Sequence, residues 1–449
     1  MLRIFLAALL FITLSTGALW GSGDGSTLPS QTTLLKVGRL LDVKTGAYLE
    51  NQGVLVEQGR IKLVGKFESV KRGAPKDAKL IDLSRAVVLP GLIDCHSHLF
   101  VSNDGRLDRT SELSEEERMR VAERNALEDL TAGIMTVRNL GNSGVRGDAI
   151  LRDAINGRKI PGLNILAATR KLTPPGGQPL VDKPVTKEIL EREFLTISNT
   201  EEARVAVQGA VSAGADVIKV VVDVSTKLLS LEEMKAIVEE AHRAKVKVAA
   251  HATTAEGTKR AAEAGVDSIE HGNDASDETF RLMAARGIFL VPTDFTPDHL
   301  RQIFAADVER NPKDKEGFEQ YVKDYASKRP ARLQRALKAG VRIAAGSDVF
   351  FIYPGKTRGQ ASLLMLEALN SEGMSALDCI RAATTNAAEL LGWQDRIGTI
   401  EAGKFADIIA LERDPLKDLS ELQRVRFVMK SGYVIRDDWT LQRRIPKNW

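Results

Sequence analysis

Apolar residues in this chain fall into short blocks whose spacing changes twice. Between Thr33 and about Val87 they form brief or alternating runs around Leu34–Val37, Gly53–Val56 and Ile61–Val64, separated by turn residues such as Gly46 and Gly59. That spacing predicts a set of short strands. Beyond it, near-continuous apolar runs alternate with stretches of helical period. The runs predict strands at 92–99, 134–140, 164–168, 217–223, 246–251, 268–271, 288–292 and 341–348. Helices are predicted at 115–132, 200–213, 230–245, 255–264 and 278–286, with a long helical region before Val341. A helix at 375–391 follows, and short strands resume at 398–400, 406–411 and 425–430.

Repeated βα units with buried strands imply an α/β protein with a parallel sheet. Eight such units over ~250 residues fit a (β/α)8 TIM barrel. A doubly wound open sheet competes with it, but no Gly-rich phosphate loop follows any of the strands. The leftover strands at the two ends pair most economically with each other, in one small β-domain beside the barrel.

The first residues differ in character. Arg3 precedes an apolar run from Ile4 to Leu14, and then come the small residues Ser15, Thr16, Gly17 and Ala18. This is the layout of a signal peptide, expected over 1–22, and it predicts an exported, periplasmic or secreted protein. A transmembrane anchor competes, but the run is short for a hydrocarbon core, and no cysteine stands nearby to carry a lipid. The net charge of +3 over 449 residues, without a basic stripe interleaved with aromatics, gives no basis for nucleic-acid binding. Cys95 and Cys379 are the two cysteines, and Cys95 reads as a small buried hydrophobe rather than half of a disulfide.

Candidate chemistry begins at Val87–Phe100. His96 and His98 lie two apart on a predicted strand and face the same side. Two converging neutral imidazoles suit a divalent metal; two hydrogen-bonded histidines in an apolar strand are the alternative. His251, His271 and Asp348 each stand at the carboxyl end of a later strand, and in a barrel these ends open onto one face. Four of the six histidines fall on such positions, while His242 and His299 sit in helical or loop contexts. Lys219 lies mid-strand among Val217, Ile218, Val220 and Val221, where an ammonium is costly to bury. Two readings stay open for it: a buried salt bridge, with Asp348 as a partner, or carbamylation by CO2 to give a metal-bridging carboxylate.

Taken in order, these motifs resemble the amidohydrolase superfamily of metal-dependent hydrolases. The resemblance runs through Pro90–His98, Lys219, Ala250–His251, Glu270–Gly272, Gly346–Asp348 and the closing Gly398–Ile409. Within the superfamily the chain is similar to the imidazolonepropionase-like and Xaa-Pro dipeptidase-like branch, through Gly133–Gly141 and Gly287–Pro292. The resemblance implies two divalent ions, usually Zn2+. His96, His98 and Asp348 would hold one and His251 and His271 the other, with carbamylated Lys219 between them. It also implies a β-sandwich formed by 33–87 and 397–443, flanking a barrel at 88–396. Two positions depart from the pattern: Asn139 stands where an aspartate is common, and the loop 171–178 lacks the histidine that often follows its paired glycines.

The expected reaction is hydrolysis of an amide or peptide bond, with Asp348 as general base and then acid. The resemblance points to a small-molecule substrate, a dipeptide or N-acyl amino acid with a free carboxylate. Arg138 and Arg358 are the expected carboxylate clamps, with Arg170 and Lys171 as further candidates, against a plain surface role for each. A cyclic-amide or lactone hydrolase is the rival enzyme. A non-catalytic binding protein is the weaker rival, because no metal ligand of the pattern is missing. No stable membrane anchor is expected, and a homo-oligomer is compatible with the sequence.

Overall fold

The computed structural model describes residues 32–101, 113–178, 186–224, 227–310, 312–351, 353–440 and 442–443. The expected signal peptide at 1–22 lies outside them. No helix among the described residues is long and apolar enough to cross a membrane.

Strands from both ends of the chain share one eight-stranded sheet. Near its middle, Lys79–Pro90 runs parallel to Thr33–Leu41 on one side and antiparallel to Ile408–Leu411 on the other. The two-residue alternation of a strand explains why the later half of this β-branched segment is buried on both faces. Val88 packs with Val37, Ile408 and Phe427 in the sheet's own core, whereas Val87 and Leu89 join the larger core beneath the helices. The step Pro90–Gly91 then carries the chain straight into the strand Leu92–Ser97.

Two sheets of parallel strands follow. Leu92–Ser97, Ile134–Asn139 and Asn164–Ala167 form one. Val217–Val221, Lys247–Ala252, Ser268–His271 and Phe289–Val291 form most of the other, with Lys171–Thr173 and Phe194–Thr196 at its margin. Helices lie between successive strands and begin where the sequence supplies a cap. Ser114 with Glu117 and Ser230 with Glu233 make reciprocal capping boxes. The helix Leu231–Arg243 buries Met234, Ile237, Val238 and Ala241, one stripe at helical spacing.

Backbone hydrogen bonds tie the two parallel sheets together at both margins. Asp216 N donates to Ala167 O at 2.7 Å on one side. On the other, Ala344 N donates to Leu290 O at 3.0 Å and Cys95 N to Ala345 O at 2.8 Å. The segment predicted as a strand at 341–348 makes these bonds with only an isolated bridge at Ile343. At its end Asp348 lies in the left-handed region, at φ 50°.

The predicted helix at 375–391 is two helices, Ala376–Ala382 and Thr385–Leu391. The carbonyls of Ala382 and Ala383 accept from Ala345 N and Ile93 N, so they are committed to the strand segments and not to a continuing helix. The histidine strand likewise ends at Ser97 rather than Leu99. There the Asn139 side chain takes Leu99 N at 2.8 Å and turns the chain over at His98.

Gly346 marks the closest approach of the last segment to the histidine strand. A Cβ there would lie 2.4 Å from Val291 Cγ1 and 2.7 Å from His96 Cβ. Gly346→Ala is therefore expected to lower the unfolding free energy by about 1–3 kcal/mol, measured as a fall in the urea midpoint at unchanged m-value.

Candidate metal centre

The donor set gathers at the carboxyl ends of the parallel strands. His96 comes from the first strand and His98 from the turn just after it, with ring centroids 5.3 Å apart. His251 and His271 come from adjacent strands, paired so that Ala252 faces His271, and their rings stand 4.5 Å apart. His271 lies 5.3 Å from His96, centroid to centroid. Asp348 reaches back so that its Oδ1 is 3.1 Å from His98 Nε2 and 3.7 Å from His96 Nε2. The ligating atoms of His96, His98 and Asp348 all lie within 4.8 Å of one another. Lys219, 2% exposed, stands on the neighbouring strand Val217–Val221.

Burial sets the electrostatics. It drives His96 and His271 well below the ordinary imidazole range and holds His98 below it, and it pushes His251 down to about 3. All four rings are thus neutral at pH 7 and each has one nitrogen lone pair to give. Burial also pushes Lys219 down to about 8. Burial raises Asp348 as well, but the hydrogen bond from His98 and the charge of Lys219 are among the effects that outweigh it and hold the carboxyl below its usual range.

The hydrogen-bond network assigns the tautomers. His96 Nδ1 is 2.8 Å from Glu270 Oε2, a carboxylate oxygen that can only accept, so Nδ1 carries the proton and Nε2 is bare. Thr293 Oγ1 donates to Pro292 O at 2.7 Å, which leaves it to accept from His271 Nδ1 at 2.7 Å. His98 Nδ1 is directed at the carbonyl of Gly141, 3.4 Å away. His98 Nε2 and Asp348 Oδ1 meet at 3.1 Å, within hydrogen-bond distance. The N/O donor set of His96, His98 and Asp348, with its ligand atoms within 4.8 Å of one another, fits a divalent cation.

Supporting groups hold this geometry. Asp94 accepts His96 N at 3.0 Å, Ser347 N at 2.9 Å and Ser347 Oγ at 2.6 Å, while Asp348 N donates to His96 O at 2.7 Å. His271, Thr293 and Asp348 all have positive φ, a strain of about 1–3 kcal/mol each that their surroundings must sustain.

Arg138 and Arg358, expected as substrate clamps, are not open to a substrate. Arg138 is 1% exposed and its guanidinium donates to Cys95 O, Ser268 Oγ and Glu270 Oε1, at 2.6, 2.9 and 2.7 Å. Arg358 is 4% exposed, pairs with the buried Asp129 at 3.4 Å and donates to Val349 O and Ser97 Oγ. Both are interior ion pairs, since an isolated buried charge is too costly to leave unpaired. The salt bridge considered for Lys219 with Asp348 is not formed either: among the described residues no carboxylate lies at ion-pair distance from Lys219. His242 pairs with Asp267 at 2.9 Å and His299 faces Glu367 at 3.5 Å, both apart from the cluster.

Glu270 is the functional group that the sequence reading did not single out. It is fully buried and takes Arg138, Ser268 Oγ at 2.6 Å and His96. Its signals were a carboxylate inside an apolar strand and its place in the Glu270–Gly272 motif, neither of which showed what it holds.

A cavity of about 170 Å³ opens beside His271 and Asp348. A larger one, about 320 Å³, lies between Thr131, Gln360 and Arg436 and touches none of these groups.

Residues 87–435 match the amidohydrolase family. The chain is similar to ochratoxinase of Aspergillus niger, 30% identical over 441 residues that take in 92% of this chain and 88% of the relative. It is also similar to imidazolonepropionase of Rhizobium rhizogenes, 26% identical over 393 residues, with 82% and 89% covered. Among solved structures, a Xaa-Pro dipeptidase with methionine bound in its active site superposes with a TM-score of 0.77 at 30% identity, covering 90% of this chain and 99% of that one. The crystal structure of A. niger ochratoxinase gives 0.76 at 28% identity, with 93% and 99% covered.

Glu270→Gln leaves the Arg138 charge uncompensated and weakens the orientation of His96. The expected cost is about 3–5 kcal/mol of stability together with a roughly 10- to 100-fold loss of metal affinity. Urea unfolding and competition against a chelator measure the two separately.

Proposed function

The chain belongs to the amidohydrolase family, and we propose that it is an exported binuclear-metal hydrolase that cleaves the amide bond of a dipeptide or N-acyl amino acid. One observation carries the metal-dependent reading: buried, neutral imidazoles converge with Asp348, the ligand atoms of His96, His98 and Asp348 lying within 4.8 Å of one another. The amide-bond reading draws on the relatives, an ochratoxinase and a Xaa-Pro dipeptidase, which are hydrolases of C–N bonds. The hydrogen bonds at both margins of the parallel sheets support closure into a (β/α)8 barrel spanning 88–396. Residues 33–87 and 397–443 would then form the flanking β-sandwich, and 1–22 the signal peptide.

His96, His98 and Asp348 would hold one ion, His251 and His271 the other, and Lys219, as its carbamate, would bridge them. Bound there, divalent ions supply Lewis acidity, acidifying a water and polarising the substrate carbonyl. Asp348, its carboxyl held below the usual range, would take a proton from the attacking water and return it to the departing nitrogen. Glu270 and Thr293 keep His96 and His271 presenting Nε2 throughout.

With Arg138 and Arg358 engaged elsewhere, Lys171 becomes the best-supported group for a substrate carboxylate. It is 3% exposed, and the register of Leu172 opposite Val220 sets it beside Lys219 on the same strand face. Its Nζ meets neutral oxygens, Asn142 Oδ1 at 3.4 Å and Gln178 Oε1 at 3.2 Å. No carboxylate of the described residues pairs with it. Its stem packs on Gly141, the residue whose carbonyl faces His98.

Elemental analysis of the active enzyme is expected to find about two divalent ions per chain, and exhaustive chelation to abolish turnover until metal is restored. Lys219→Ala should lose metal and activity together, with partial rescue by a short carboxylic acid; full metal loading in that variant would sink the bridging role. Lys171→Met should raise KM roughly 10- to 100-fold for substrates with a free carboxylate and far less for the matching primary amides.

A further inference from the structure

The cavity beside His271 and Asp348 has a composition that catalysis alone does not require. Phe295, Phe304, Tyr321, Tyr325, Phe350 and Phe351 line it. The whole chain has 23 aromatic residues, from 14 Phe, 5 Tyr and 4 Trp. Six of them border one small cavity: Phe295, Tyr325 and Phe351 belong to a buried cluster with Phe304 and Phe350 packed on it, and Tyr321 is 49% exposed. The rings hold one another edge to face: Phe295 and Phe351 are 5.2 Å apart at 77°, and Phe350 and Phe351 5.7 Å at 82°.

Two polar side chains of this wall are engaged by protein partners. Tyr325 Oη accepts from Phe295 N at 2.9 Å and donates to Asp294 Oδ1 at 3.3 Å. Arg329 lies over the Tyr325 ring, 4.7 Å from its centroid, and donates to Asn273 Oδ1. The accessible lining is divided nearly evenly between polar and apolar surface, the aromatic rings on one side and Thr293, His271 and Asp348 at one end. An apolar cavity of roughly 150 Å³ accommodates a benzene ring, and this one measures about 170 Å³.

We propose that this cavity binds a single aromatic ring carried by the substrate next to the scissile bond, so that the enzyme selects aryl- or arylalkyl-bearing amides. The proposal rests on the hydrolase reading above and narrows it to a substrate class. Most of the wall belongs to the segments that follow Phe289–Val291 and Asp348, with His271 from the end of Ser268–His271 and Asn273 just after it. Ring recognition is therefore separable from the metal centre by mutation.

The test compares kcat/KM for N-acetyl-phenylalanine and N-phenylacetyl-alanine with that for ring-free N-acetyl-alanine. A preference of roughly 10- to 100-fold for at least one aromatic substrate is expected. Tyr321→Ala, at an exposed position, should reduce that ratio, and Ile303→Trp, which fills the cavity from its helix, should abolish it. Equal ratios in wild type and both variants would overturn the proposal. Binding of 3-phenylpropanamide against propanamide, followed by ligand-observed NMR, separates the two readings. If no amide is turned over yet the aromatic probe binds wild type and not Ile303→Trp, the hydrolase reading fails and the ring site stands. If amides are hydrolysed without aromatic preference and neither probe is favoured, the ring site fails alone.

Discussion

Burying the Glu270 carboxylate would cost several kcal/mol if its charge were not shared among donors. Arg138, Ser268 and His96 share it, and through them one interior charge reaches three parallel strands. Arg138 in turn holds the carbonyl of Cys95, beside His96. The orientation of a candidate ligand thus follows from an ion pair that solvent cannot reach. In the same dry interior the histidines lose any tendency to take up protons, so one desolvation both fixes the rings and keeps their lone pairs free.

The two parts of the site differ in mechanical character. The histidines and Lys219 come from strands or their ends, whose positions are set by hydrogen bonds on both sides. The aromatic cavity is built from the longer segments that leave the strands, including the helix Pro297–Ile303 and the long helix Lys315–Lys338. A rigid reaction centre with variable walls allows one chemistry to serve different substrates.

What could be read from the sequence follows from which patterns are local. The alternation of buried runs and helical stretches marked the parallel strands, and the spacing of His96 and His98 marked their common side. His251, His271 and Asp348 were legible because each closes an apolar run. Arg138 and Arg358 were misread because strand-end position does not tell whether a long side chain turns inward to a distant carboxylate, here Glu270 and Asp129. The break in the predicted helix at 375–391 was equally hidden, since its cause is a pair of carbonyls bonded to Ala345 and Ile93, far away in sequence. The aromatic cavity gathers residues from 295 to 351 whose spacing follows no single period.

Val88 pairs with Ala410, so the central strand of the eight-stranded sheet gains one of its two neighbours from the far end of the chain. About 320 residues separate the partners, and at a synthesis rate of about 5–20 residues per second that is a wait of roughly 15–65 s. Throughout it the edge of Lys79–Pro90 that Ile408–Leu411 will cover is an open template for any passing strand. Until Ile408–Leu411 has been made, that edge of the emerging chain stays adhesive, and it must be shielded or its folding delayed for the whole interval.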